Sequence, residues 1–292
     1  MSANPIVTVC NYELTDLLNW QAYADKIRDL VKTANESHTN ILCLAEYAGM
    51  DLCGWIPRDL ATQFAKIQDY LPQYIALYQT LAKEFNIYIQ PGTLPVKDGD
   101  HYKNRAYFFK KNGDYCFQDK MILTPIEISL NLLQPSTELK LFDTEFGKIG
   151  IAICYDSEFP LLIHTMASAG ATLIIVPSCT ETQHGYTRVS ISCRARAIEN
   201  QCYVANAYLV GKLTTCDFFS DHTGHAGIYA PADLGQPADG IIAQCQSDQF
   251  ELISAELDFE KLAVTRQQGQ TTNLKDMQNS MKNHADIKIM YN

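Results

Sequence analysis

The sequence predicts an α/β fold built around a mixed β-sheet. Apolar runs of strand length recur along its 292 residues, and segments with apolar residues at helical spacing lie between many of them. In chain order these segments read β-α-β-α-β-β-β-α-β-α-β and then further strands, an order typical of layered α/β proteins. Because no low-complexity linker divides the chain, we expect one domain over residues 1–292.

The predicted elements are set by hydrophobic periodicity. The strand-like runs are residues 5–12, 40–47, 86–94, 106–113, 148–156, 171–178 and 201–211, with weaker ones at 224–231, 240–246 and 250–258. The helix-like segments are residues 17–36, 69–85, 160–169 and 187–200.

Two further segments carry distinct predictions. AYFFKKNGDYCFQDK is typical of a β-hairpin, with Asn112-Gly113 as the signal of a type I′ turn. From about residue 263 the chain becomes polar (VTRQQGQTTNLKDMQNS), too polar to form a core of its own. We therefore expect residues 263–292 to be a mobile tail or an arm on a partner subunit.

Composition excludes several classes of function. The formal net charge is -10 and no Lys/Arg run is present, which argues against nucleic-acid binding. No stretch approaches the ~18 apolar residues needed to span a bilayer. The first residues, MSANPIVTVCNYEL, lack the basic and apolar regions of a signal peptide. We expect a cytoplasmic protein that binds neither nucleic acid nor membrane.

The ten cysteines argue for a reducing compartment. No pair has CxxC spacing and several lie inside apolar runs, which disfavours both a zinc site and a disulfide framework. His222 and His225 lack a third ligand at metal spacing, so we interpret that segment as a loop. No metal or organic cofactor is expected.

Reactive residues follow several of the predicted strands. The stretch IGIAICYDSEFP (149–160) places Cys154 where a buried strand ends, NILCLAEY delivers Glu46, and the return strand of the hairpin delivers Lys120. Glu127 lies seven residues further on. Loops at the carboxyl ends of strands converge in α/β folds. From these residues alone, Cys154 is either a buried core thiol or a nucleophile.

A glutamate, a lysine and a cysteine together suffice for acyl transfer through a thioester. The thiol needs a base to become nucleophilic, and a desolvated carboxylate can be that base. A nearby ammonium can stabilise the oxyanion that forms after attack. Since many chains contain these three residue types, their presence alone is weak support.

The quoted motifs resemble those of the nitrilase (carbon-nitrogen hydrolase) superfamily. GIAICYDSEFP is similar to its nucleophile motif, LCLAEY to its general-base motif and QDKMILTPIE to its lysine motif. GATLIIVPS and CRARAIENQCYVANA resemble the strand and the helix that follow the nucleophile motif in that family. The resemblance covers nearly the whole chain in the same order. KMILTPIE, CYDSEFPLLI and VPSCTET resemble more narrowly a poorly characterised bacterial branch, some of whose members are fused to an acetyltransferase domain.

The resemblance implies a fold and residue roles. The fold is a four-layer α-β-β-α sandwich with two mixed β-sheets, commonly dimerised through the helices that follow the nucleophile and later motifs. Cys154 would be the nucleophile, Glu46 the general base and Lys120 the oxyanion stabiliser. Glu127 would orient Lys120 and substrate, and the Tyr155 backbone N–H would be a second oxyanion donor. A homodimer or higher homo-oligomer is expected.

Two positions depart from the usual family pattern. Ala45 stands where proline usually precedes the base glutamate, and Met121-Ile122 stand where His-Leu often follows the lysine. These differences place the chain outside the best-known amidase branches. The substrates of those branches therefore cannot be assigned to this chain.

Further residues near the nucleophile have two interpretations. Asp156 and Glu158 could include a second catalytic acid, but acidic residues just before Pro160 are more typical of the start of a helix, and we favour that interpretation. Arg196 and Glu199 are spaced for an ion pair on one helix face. The loop after the strand LIIVPS either lines the substrate pocket or is an ordinary polar loop; its residues are Cys179, Thr180, Glu181 and Thr182.

We therefore expect a cysteine-dependent hydrolase of a non-peptide carbon-nitrogen bond, most simply an amidase acting on a small carboxamide. The same residues would also serve a nitrilase or an amine N-acyltransferase. A non-catalytic interaction protein that keeps the fold is a rival of another class, and a redox-sensing thiol protein is another. A protein that had lost catalysis would usually have lost one of the three positions, and here all three are filled.

Overall fold

The computed structural model describes residues 4–56 and 59–280. Its strands are β1 (Ile6–Glu13), β2 (Ile41–Cys43), β3 (Tyr88–Gln90), β4 (Thr93–Asp98), β5 (His101–Phe109), β6 (Tyr115–Asp119), β7 (Leu141–Thr144), β8 (Gly147–Ile151), β9 (Ala171–Ser178), β10 (Tyr203–Val210), β11 (Gly227–Tyr229), β12 (Ile241–Gln244) and β13 (Glu251–Glu256). Its α-helices are α1 (Trp20–Glu36), α2 (Leu60–Phe85), α3 (Pro125–Ser129), α4 (Pro160–Ser168), α5 (Gln183–Asn200), α6 (Phe259–Gln268) and α7 (Asn273–Ser280).

The strands form two mixed sheets that meet at β1. One sheet has the order β13-β1-β2, then β3 and β4 end to end, then β5-β6. The other has the order β12-β11-β10-β9-β8-β7. The first part of β1 pairs with β13, whereas its end, Asn11–Glu13, pairs with Tyr208–Val210 of β10. Strand β1 thereby joins the two sheets.

The layers arise because side chains alternate between the two faces of each strand, so that both faces of a sheet can be packed. Val7 and Val9 of β1 belong to the core shared with the second sheet, whereas Cys10 and Tyr12 belong to the core under α1 and α2. Successive side chains of a strand point to opposite faces, so one strand serves both cores. Helices α4 and α5 cover the far side of the second sheet. The predicted four-layer α-β-β-α sandwich is confirmed.

Several helices begin earlier or later than hydrophobic periodicity predicts, because capping side chains set the boundary. Asn19 accepts a hydrogen bond from the Ala22 N–H, so α1 starts at residue 20 and not at 17. Asp59 caps α2, which starts nine residues before the predicted 69 and contains Pro72. Thr182 caps α5, and α4 begins at Pro160 as predicted.

The hairpin prediction is correct, but its turn type is wrong. Strands β5 and β6 pair with Phe109 opposite Tyr115. A type I′ turn needs positive φ at both central residues, yet only Gly113, at φ 83°, has it. The five-residue loop is instead closed by the Lys110 and Gly113 N–H groups, which donate to the Asp114 and Lys110 carbonyls. Glycine supplies the single left-handed position that this longer loop requires.

Residues 263–280, expected to be a mobile tail or an arm on a partner subunit, belong to α6 and α7 and contact their own chain. The Arg266 guanidinium donates to the carbonyls of Gln201 and Ala171. The Gln201 side chain donates in turn to the carbonyls of Thr265 and Thr271. Polar side chains thus attach this segment, which is why counting its apolar residues misses it. Residues 281–292 lie outside the described residues.

Apolar side chains are exposed on the outer helices. Leu161 of α4 and Ile191 and Ile198 of α5 are exposed, the last two being two turns apart on one helix face. The predicted homo-oligomer would cover them, and it stays a prediction.

Candidate active site

Cys154 lies at a sharp bend beyond β8. It begins the 3₁₀ segment Cys154–Glu158, with φ 47° and a side chain 5 % exposed. A left-handed conformation at a non-glycine residue costs about 1–3 kcal/mol and is concentrated at functional sites. The thiol is directed toward the carbonyl of Cys179, with 3.6 Å between Sγ and that oxygen.

The fully buried Asp156 holds this bend in place. Its carboxylate accepts hydrogen bonds from the backbone N–H groups of Ile153 at 3.0 Å, Met121 at 3.2 Å and Ile122 at 2.8 Å. Burial raises the pKa of Asp156 to about 6. Asp156 therefore fastens the loop that bears Cys154 to the loop that bears Lys120. This role is structural, but it differs from the predicted one at the start of the helix at Pro160.

Asp156→Asn tests this connection. One carboxamide oxygen cannot replace two carboxylate oxygens, and its NH₂ group would face backbone donors. We expect the free energy of unfolding to fall by about 2 kcal/mol and kcat to fall by about tenfold or more because the two loops lose their alignment. Chemical denaturation and steady-state kinetics measure these changes. Asp143→Asn is the matched control, because Asp143 is an exposed residue of β7. Equal effects of the two substitutions would contradict the role of Asp156.

Glu46 lies in a loop that leaves the sheet just after β2. The predicted strand ran to residue 47, but the strand ends at Cys43. The Tyr47 N–H donates to the Thr93 hydroxyl, and the Thr93 N–H donates to the Ala45 carbonyl. Gly92 lies so close to this loop that a Cβ there would be 2.0 Å from the Ala45 oxygen. The loop turns Glu46 inward, where it is 1 % exposed.

Lys120 follows β6 and is buried between two carboxylates. Its Nζ lies 2.8 Å from Glu46 Oε1 and 2.8 Å from Glu127 Oε2. Lys120 itself is 1 % exposed. A buried ammonium needs such partners to offset its desolvation.

Glu127 has two functions in the structure. As the third residue of α3 it completes a capping box, in which its carboxylate accepts from the Thr124 N–H and its own N–H donates to the Thr124 hydroxyl. The same carboxylate contacts Lys120. Glu127 therefore caps α3 and also contacts Lys120.

The protonation of this cluster follows from burial and charge. Burial raises the pKa of Glu46 to about 7 despite the neighbouring Lys120 ammonium. Burial alone would lower the pKa of Lys120, but Glu46 and Glu127 outweigh it and hold that pKa well above its usual value. Burial alone would raise the pKa of Glu127, but Lys120 brings it below the ordinary value. Burial, followed by the Glu46 charge, raises the pKa of Cys154.

Two residues of this cluster were missed by sequence reasoning. The fully buried Asn104 donates from Nδ2 to Glu46 Oε1 at 2.8 Å and to Glu127 Oε1 at 3.2 Å. The Tyr47 hydroxyl donates to Glu127 Oε1 at 2.7 Å. Both donors reduce the repulsion between the two carboxylates. A signal was available, because Asn104 is an uncharged polar residue in the strand that leads into the apolar run AYFF.

The reactive residues border one cavity of about 610 Å³, which Tyr47 also lines. Cys154, Glu46, Lys120 and Glu127 lie on its wall, as does Tyr155. The four loop residues proposed from sequence also line it: Cys179, Thr180, Glu181 and Thr182. The lining residues to which the sequence did not point include Ile126, Arg188, Val189 and Phe218.

The Arg196–Glu199 ion pair is confirmed, with 2.6 Å between Nη1 and Oε2. Arg196 is buried and also donates to the carbonyls of Ser157 and Glu158, so it joins α5 to the segment after Cys154. His222 and His225 each face a backbone carbonyl, those of Gly211 and Cys245.

Comparison with known proteins identifies the family. The profile of the carbon-nitrogen hydrolase family matches residues 7–267. The chain belongs to the carbon-nitrogen hydrolase family. Within that family it is similar to the probable hydrolase YhcX of Bacillus subtilis (strain 168), with 31 % identity over 277 residues. That match takes in 94 % of this chain but 54 % of YhcX, so the chain spans about half the length of that relative.

Two other family members extend the comparison. Omega-amidase NIT2-A of Xenopus laevis is 27 % identical over 248 residues, covering 82 % of this chain and 84 % of that protein. The crystal structure of Saccharomyces cerevisiae Nit3, a nitrilase-superfamily member, superimposes with a TM-score of 0.73 at 24 % identity, covering 91 % of this chain and 94 % of Nit3. The structural match establishes the sandwich fold.

Over residues 4–56 and 59–280, none of the helices combines the length and the apolar character that crossing a bilayer would require.

Proposed function

We propose that this chain is a cysteine-dependent amidase that hydrolyses a small carboxamide through a thioester acyl-enzyme. The observation that carries the proposal is the convergence of one thiol, one ammonium and two carboxylates in a single cavity. Glu46, Lys120, Glu127 and Cys154 come from four separate segments of the chain, and no structural requirement of the sandwich explains their burial together. Such a cluster in a cleft supports a catalytic role.

The first half of the reaction forms the thioester. Glu46 accepts the proton of Cys154 Sγ as the sulfur attacks the carboxamide carbon. The carbonyl oxygen gains the electron pair and is stabilised by Lys120 Nζ and the Tyr155 N–H. When the carbonyl re-forms, the carbon–nitrogen bond breaks and Glu46 gives its proton to the departing ammonia. Glu127 keeps Lys120 charged and oriented throughout.

The second half regenerates the thiol. Water attacks the thioester carbon while Glu46 accepts a water proton. The carbon–sulfur bond then breaks, and the proton returns to the sulfur. A carboxylate with a pKa near 7 suits this alternation, since it can both accept and donate protons near neutral pH.

Two observations favour hydrolysis of an amide. The similar Xenopus protein is an omega-amidase by name. The Arg188 side chain that lines the cavity is 61 % exposed, so water can reach the outer part of the cavity, as hydrolysis requires.

The pH dependence of turnover tests the proposal. Glu46 must be deprotonated to accept the thiol proton, and burial raises its pKa to about 7. We therefore expect kcat/KM for a panel of short primary amides to rise about tenfold per pH unit below that pKa and to level off above it. Ammonia release between about pH 5.5 and pH 8.5 measures this rise.

Circular dichroism over the same range is the control, because it shows whether the fold persists where activity falls. A kcat/KM that is flat across this range would contradict the role of Glu46. Absence of ammonia release from every amide and nitrile would contradict the proposed function.

A further inference from the structure

We propose that the acyl part of the substrate is a short apolar chain ending in a positively charged group, as in an ω-amino carboxamide. This inference rests on the proposed amidase function and names the substrate class. It follows from the charges that line the cavity and from their positions along it.

The inner end of the cavity carries an excess of negative charge. Two carboxylates, Glu46 and Glu127, share the single ammonium of Lys120. The carboxamide is neutral and can enter this end. A substrate with a carboxylate close to the reacting carbon would bring a third negative charge there.

At the mouth of the cavity, carboxylates again outnumber cations. Glu158 and Arg188 form an ion pair in which 3.4 Å separates Oε2 from Nε, and their side chains are 18 % and 61 % exposed. Glu181 is exposed on the loop before α5 and lines the same cavity. Among the described lining residues, the cations are Lys120 and Arg188, and both already contact carboxylates.

Part of the remaining lining of the cavity is apolar. It consists of Pro125, Ile126, Val189 and Phe218. Such a lining favours a methylene spacer between the carboxamide and the charged end. The lining also includes the aromatic ring of Phe218, and a cation over such a ring gains about 0.5–1 kcal/mol at an exposed site.

A carboxylate-ended substrate is the opposite possibility. It could bind Arg188 and the amino-terminal end of α5. Its carboxylate would then lie beside the carboxylates of Glu158 and Glu181, which line the same cavity. The Gly185 N–H at that helix end already donates to the Thr182 hydroxyl. The described contacts therefore favour the cation.

Three straight-chain primary amides of equal length, ending in ammonium, methyl or carboxylate, test the proposal. We expect kcat/KM to decrease in that order, by about tenfold at each step, as in other charge-lined clefts. Added salt should compress the series because it screens exposed charges. Glu181→Gln and Glu158→Gln should each reduce the ammonium-to-methyl ratio by about fivefold. Glu260→Gln, an exposed change on α6, is the control for net charge.

Binding of the same amides to the Cys154→Ala variant, measured by calorimetry, separates this proposal from the proposed function. If no amide is hydrolysed but the ammonium-ended one binds most tightly, the function is wrong and the charge preference stands. If turnover occurs and the three amides react equally, the charge preference is wrong. A preference for the carboxylate-ended amide that Arg188→Gln abolishes would also overturn it.

Discussion

Replacing Cys154 with alanine is expected to abolish ammonia release, lowering kcat by about 10⁴-fold or more, as expected when a catalytic nucleophile is removed. Alanine occupies the φ 47° bend as cysteine does, so the fold should persist. Intact-mass analysis after acid quenching should find an acyl adduct on the wild-type chain and none on the variant. The mass of that adduct identifies the acyl group.

Cys116→Ser is the matched control for Cys154→Ala. Cys116 is half-buried on β6 and does not line the cavity, so its loss should leave turnover and the adduct intact. Adduct formation on another cysteine, with turnover retained in Cys154→Ala, would contradict the proposed mechanism.

Replacing Lys120 with methionine is expected to affect both activity and stability. Without the ammonium, Glu46 and Glu127 remain buried with like charges, which should lower the free energy of unfolding by about 3–5 kcal/mol. Loss of an oxyanion-stabilising charge should lower kcat by about 10²–10³-fold. Thermal unfolding and rapid-quench measurement of acyl-enzyme formation report the two effects separately.

Lys140→Met is the control for Lys120→Met, since Lys140 is 34 % exposed and contacts the exposed Glu138. If Lys120→Met alone fails to fold, adding Glu127→Gln removes one of the two buried carboxylates and restores a measurable protein. Acyl-enzyme formation at the wild-type rate in a folded Lys120→Met variant would show that Lys120 does not stabilise the oxyanion.

Much of the fold could be predicted from sequence because it depends on local patterns. Runs such as ATLIIVPS indicate buried strands by themselves, and Pro160 marks a helix start. Helix ends set by one capping residue, such as Asp59, were misplaced because periodicity does not detect a side chain outside the helix. The C-terminal helices were missed because Arg266 and Gln201 attach them through polar contacts.

The cavity could be predicted only in part. Cys154, Glu46 and Lys120 follow strand-like runs, and their motifs made them candidates. Asn104 was missed because its position between two carboxylates depends on strand pairing and not on neighbours in sequence. Arg188 and Phe218 were missed for the same kind of reason, because α5 and the segment after β10 meet at the cavity only in the folded chain.

The junction at β1 has a consequence for catalysis. The base, the lysine and its partner glutamate are borne by segments of one sheet, whereas the thiol follows β8 of the other. Productive alignment therefore depends on how rigidly the two halves of the sandwich stay in register. If the pairing of β1 with β13 and β10 weakens, the reactive groups move apart before either half unfolds. Enzymatic activity would therefore be lost at a lower denaturant concentration than secondary structure.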